Sequence, residues 1–133
     1  MNWKIILQLS VLGFFMAIAT ISLIPMMVEP IFWLAIFIFS AIVITKTCAS
    51  KFFLHGFLLS LINCVYIIFF HVAFYDSYMA NHPEMAKMPI LFASHPRESM
   101  VVTGIFAGIV CGLIVGLLAF IASKFFVKKP VTA

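Results

Sequence analysis

The residues able to do chemistry are few. They are four histidines (His55, His71, His82, His95), three cysteines (Cys48, Cys64, Cys111) and four acids (Glu29, Asp76, Glu84, Glu98). His71, His82, Glu84 and His95, with Asp76, form a permissive set of hard and borderline metal ligands. Their spacing does not chelate: on one continuous helix His71 and His82 stand ~16 Å apart, and His55 and His71 ~24 Å. The pairs His82-Pro83 and His95-Pro96 read better as turn and helix-entry residues, so no metal and no cofactor is expected. An odd number of cysteines without Cys-x-x-Cys spacing indicates neither a disulfide framework nor a thiol-redox motif. Free cysteines then act as small buried hydrophobes, with Cys64 and Cys111 both near mid-membrane and placed to be neighbours. The chain has no Gly-rich phosphate loop, no Gly-x-Ser-x-Gly and no His-Glu-x-x-His. An enzyme is not expected.

A second pattern lies between positions 60 and 78. Ser60, Cys64, Ile67, His71, Tyr75 and Tyr78 recur at steps of four and three, which puts them on one helix face with Asn63 at its border. Amide, imidazole and phenol groups are costly in hydrocarbon unless partnered, so this face must be a polar seam turned toward other helices. Two readings stay open: hydrogen bonds between helices, or a ligand or proton path through Asn63 and His71.

The sharpest pattern is Gly104-x-x-x-Gly108-x-x-x-Gly112-x-x-x-Gly116. Each glycine costs about 1 kcal/mol relative to alanine inside a helix, so four on one strip imply a compensating close contact. In lipid such a groove gains dispersion and Cα–H···O contacts from a neighbouring backbone. Its expected partner is either the small-residue stripe of Ser10, Gly13, Ala17 and Thr20, closing the bundle within the chain, or a second copy.

These residues need elements to carry them, and composition says what kind. Of 133 residues 65% are hydrophobic and only 9% charged, so a water-soluble fold lacks the polar faces it would need. Apolar runs of about the ~20 residues a bilayer core requires predict four transmembrane helices, near 5–24, 30–46, 52–78 and 99–123. The outer loop 79–98 and a tail over 124–133 complete an all-α, integral membrane four-helix bundle in a single domain. Pro25 ends the first span, while Glu29-Pro30 and Glu98 after Pro96 suit helix starts. Ala17-Ile-Ala19 has the form of a signal-peptidase site, but the apolar run continues past it to Ile24. Asn81-His-Pro-Glu84 has capping-box spacing, predicting a short interfacial helix that carries Met85, Met88, Leu91 and Phe92.

Lys4, Lys46, Lys51, Lys124, Lys128 and Lys129 fall on one side of these spans and only Lys87 and Arg97 on the other, which puts both termini in the cytoplasm. Trp3 then marks the inner interface, and Trp33, Tyr75 and Tyr78 the outer one. The net charge of +4 is topology rather than a nucleic-acid surface, because the lysines flank apolar runs. No acid lies inside an apolar run, which argues against a proton-coupled exporter.

The stretch Lys51-Phe-Phe-Leu-His-Gly-Phe-Leu-Leu-Ser-Leu-Ile-Asn-Cys, the segment Tyr78-Met-Ala-Asn-His-Pro-Glu and the glycine-spaced last helix resemble small bacterial four-helix membrane proteins of unknown function. That resemblance implies a fold, a bacterial inner membrane location and no activity. The expectation is a non-enzymatic structural or regulatory component, bathed in membrane lipid and associating with itself or a membrane protein through the glycine strip. The alternatives are a small channel or transporter with a path along Asn63 and His71, and a metal or ligand receptor built on the outer loop.

Overall fold

The computed structural model describes residues 1–87 and 94–126. Its helices are α1 (Trp3–Ser22), α2 (Glu29–Thr47), α3 (Phe52–Ala73), α4 (Tyr75–Asn81) and α5 (Pro96–Phe126), with a 3-10 turn over Pro83–Lys87. Four of these, α1, α2, α3 and α5, are long and apolar enough to cross a membrane, which makes the chain a multi-pass membrane protein. Large apolar side chains such as Phe15, Phe69 and Phe106 stand more than half exposed on their outer faces, where lipid is the solvent.

Local chemistry sets most helix ends. The Asn2 side chain caps α1 by accepting from the Ile5 amide, and Pro25 follows its last turn. Pro30 in the first turn of α2 needs no amide partner, and Glu29 sits at the positive end of that helix dipole. Lys51, before α3, takes the left-handed conformation with φ 57°. Its carbonyl thereby accepts from both the backbone amide and Nδ1 of His55, at 3.1 and 2.9 Å.

The third span is shorter than expected. α3 stops at Ala73, Phe74 leaves helical geometry, and α4 starts again at Tyr75 and turns onto α1. No glycine or proline occurs at this break. The predicted capping box also fails, because Asn81 closes α4 instead of opening a helix: its Nδ2 donates to the Ser77 carbonyl at 2.8 Å. Met85 lies in the 3-10 turn, and Met88, Leu91 and Phe92 lie outside the described residues. α5 begins at Pro96 and runs to Phe126, longer at both ends than the 99–123 expected.

Around the bundle the order is α1, α3, α5, α2. The α3/α5 interface is the most extensive, α1 packs on the other side of α3, and α2 lies along α5 with thinner contact to α1 and α3. We call the end where α1 begins and α5 stops the basic end, after Lys4, Lys46, Lys51 and Lys124, and the opposite one the loop end. The basic half is filled by an apolar cluster of Ile6, Leu9, Ala41, Ile44, Leu59 and Ala119, drawn from all four spans.

The glycine strip is used inside the chain, against a neighbour other than the one expected. Each glycine of α5 seats one side chain of the antiparallel α3: Gly104 takes Ile68, Gly108 takes Cys64, Gly112 takes Phe57 and Gly116 takes Phe53. The facing stripe of α1 does not reach it. That stripe packs on the far side of α3, where Gly13 accommodates Asn63, Ala17 is fully buried, and Thr20 meets His71. The surface from which association between copies was expected is therefore occupied by α3.

Candidate functional site

The polar seam of α3 divides between two neighbours. Cys64 Sγ donates to the Gly104 carbonyl at 3.1 Å and Ser60 Oγ to the Gly108 carbonyl at 3.5 Å, both on α5. These two bonds are available because the glycine strip brings the α5 backbone within reach of short side chains. Asn63 and His71 point instead toward α1. Tyr66, one helical turn from Asn63, adds a contact between its hydroxyl and Ser10 Oγ at 3.5 Å.

Three buried histidines hold helix ends together. His55 donates from Nδ1 to the Lys51 carbonyl, and its Nε2 accepts from the Asn2 amide at 2.9 Å, tying the start of α1 to the start of α3. At the loop end His71, Tyr78 and His82 form a column of stacked rings, with centroids 4.2 and 4.4 Å apart. The break at Phe74 builds this column by returning Tyr78 and His82 toward α1. His82 lies between the carbonyls of Tyr78, at 2.9 Å, and Ile24, at 3.3 Å. Tyr78, expected in the headgroup layer, is only 6% exposed. Burial, reinforced by the Glu29 and Glu84 carboxylates, pushes its phenol up to about 12.

The Thr20 hydroxyl lies within hydrogen-bond distance of both the Ala17 carbonyl, at 3.1 Å, and His71 Nε2, at 2.9 Å.

Where α2 stands away from α3, the loop half of the bundle is hollow. One compartment of about 290 Å³ reaches the loop end and is lined by Glu29, His71, Tyr75, Tyr78, Met85, Ser99 and Thr103 among others. A second, of about 220 Å³, lies deeper between α2, α3 and α5, with Trp33, Phe37, Ser60, Asn63, Cys64 and Cys111 in its wall. Glu29, Ile67, Gly104 and Ala107 line both, so the compartments adjoin. The expectation that Cys64 and Cys111 are neighbours corresponds to their facing this common space. Asn63 is 4% exposed and its buried Oδ1 has no partner, a situation shared among the described side chains only by Ser40 Oγ. Such an orphan costs ~1–3 kcal/mol.

Glu29 was read from sequence only as a helix-start acid. Its Oε1 accepts from Trp33 Nε1 at 3.0 Å, one turn on, and among the described residues it is the sole Asp, Glu, Lys or Arg in the wall of either compartment. The Glu29/Trp33 spacing of four was a visible signal, but nothing in the pattern said which face α2 turns inward. Gly56 was missed altogether: a Cβ there would lie 2.7 Å from the Val115 carbonyl oxygen, so this is where the α3 and α5 backbones touch.

The metal-ligand candidates are not assembled into one site. His71 and His82 share the ring column and spend ring nitrogens on Thr20 and on the Ile24 and Tyr78 carbonyls. Glu84 is exposed in the 3-10 turn, and His95 pairs with Glu98 at 3.3 Å on the surface. No group of three ligating side chains occurs among the described residues. A scan of protein-family models returns no match for the chain, and comparison with curated proteins and with solved structures returns none either.

Proposed function

We propose that this is a non-enzymatic membrane protein whose loop-end cavity binds a small amphipathic molecule, as a receptor or carrier component. The carrying observation is the two-compartment hollow between α2, α3 and α5, apolar over most of its wall and set with a few polar groups, Glu29 among them. Pockets of this character take ligands by burying an apolar body and orienting it through a few polar groups. The lysine asymmetry supports cytoplasmic termini, which would open the cavity on the non-cytoplasmic side. The apolar cluster around Ile44 and Leu59 lies between the cavity and the basic end and weighs against a continuous polar pore. Association through the glycine strip loses support because α3 fills that groove.

The test uses the full chain in nanodiscs of zwitterionic lipid. Trp3→Phe leaves Trp33, in the cavity wall, as the single tryptophan reporter. Titration with 1-decanol should change its emission saturably, and Ala107→Phe, which fills the junction of the compartments, should abolish the change. An unsaturable response that is equal in both proteins would mean that decanol only dissolves in the bilayer, and the reading would be abandoned.

A further inference from the structure

We infer that the cavity is selective for amphipathic cations, an ammonium head on an apolar chain. This rests on the cavity being a binding site, and it adds the charge of the ligand. Two observations converge on it. Glu29 lines both compartments, and among the described residues no lysine or arginine lines either, so the fixed charge these walls offer a ligand is negative. The indole of Trp33 stands in the same wall as the carboxylate and donates to it.

A carboxylate in an otherwise uncharged, largely apolar wall favours a ligand that brings a positive charge and its own N–H groups, because an anion would face Glu29. Aromatic faces beside a carboxylate are a recognition environment for ammonium ions, through the ring quadrupole as well as the charge. The tail has a place to go: the deeper compartment offers Phe37, Ile67, Ala107 and Gly108, all apolar. Head and tail are thus assigned to the outer and inner compartments, with Glu29 at their junction.

Decylammonium, 1-decanol and decyl sulfate are titrated into the Trp3→Phe protein in the nanodiscs described above, with each concentration corrected for the amphiphile's own partition into protein-free discs. Decylammonium should bind at least about tenfold more tightly than the alcohol, and the sulfate most weakly. Glu29→Gln keeps an acceptor for Trp33 and should bring decylammonium down to the level of the alcohol, whose own binding stays unchanged. Equal, saturable binding of the alcohol and the ammonium, or an ammonium preference that survives Glu29→Gln, overturns the charge selectivity and leaves the cavity standing as a binding site. Absence of saturable binding by all three removes both inferences together.

Discussion

At the basic end, six apolar side chains from four spans close around one another, and the buried histidine there, His55, has both ring nitrogens paired. At the loop end the same four spans enclose a hollow, and the buried Asn63 keeps its Oδ1 unpartnered. The difference lies largely in α2. Ala41 and Ile44 join the basic-end cluster, whereas one to three turns earlier Phe37, Trp33 and Glu29 face empty space. A bundle can therefore be rigid where its function needs an anchor and unfilled where it needs room, using one set of helices. Cohesion at the loop end comes from polar contacts instead: Thr20 with His71, and the carbonyls of Ile24 and Tyr78 with His82.

The largest expected effect breaks the α3/α5 seam on which both halves depend. Gly56→Ala sets a methyl against the Val115 backbone, which cannot rotate away, and should cost about 2–3 kcal/mol in detergent unfolding. Gly104→Ala meets only the Ile68 side chain and should cost less than about 1 kcal/mol. Equal costs at the two sites would show that the backbones are not in contact at Gly56.

Next in size, alkaline pH should loosen the loop end. The Tyr78 phenol is raised from 10.0 to about 12 in the folded protein, so its stabilisation is complete below pH 10 and disappears as the pH climbs through 12. The loss amounts to about 2–3 kcal/mol by the usual ~1.4 kcal/mol per unit. Unfolding midpoints between pH 9 and 12 should fall for the native protein and fall much less for Tyr78→Phe.

His71→Phe keeps a ring against Tyr78 and deletes the bond to Thr20, at a cost of about 1 kcal/mol. Hydrogen exchange should quicken in α4 and the last turn of α1 while the start of α1, held by His55, is unaffected. Uniform quickening along α1 would dissolve the distinction between the halves. The smallest effect is expected from Asp76→Asn, since its 3.6 Å ion pair with Arg97 joins two largely exposed side chains, and melting temperature should not move.

How much of this was legible in sequence varies with the physics behind each element. Helix number and type were readable because a bilayer demands long apolar runs, and Pro25, Pro30 and Pro96 mark boundaries by lacking an amide proton. The end of α3 was not, since the segment at Phe74 has helix-compatible residues on both sides and breaks where Tyr78 and His82 gain contacts with α1. Gly104 to Gly116 announced a groove. Which helix filled it was silent, because hydropathy specifies depth in a membrane and says nothing about lateral neighbours. The seam of Ser60, Asn63, Cys64 and His71 was visible as a stripe, yet its division between α5 and α1 depends on α3 being flanked on both sides.

By itself, then, the chain's sequence determined four membrane-length helices, a basic end and a glycine groove, all properties of local composition and period. Only the tertiary structure decided that α3 is the helix gripped from both sides, that α4 folds back to bury Tyr78, and that Glu29 faces a cavity. Those facts depend on how helices are arranged side by side, and that arrangement is set by contacts between residues as distant as Thr20 and His71, or Gly56 and Val115.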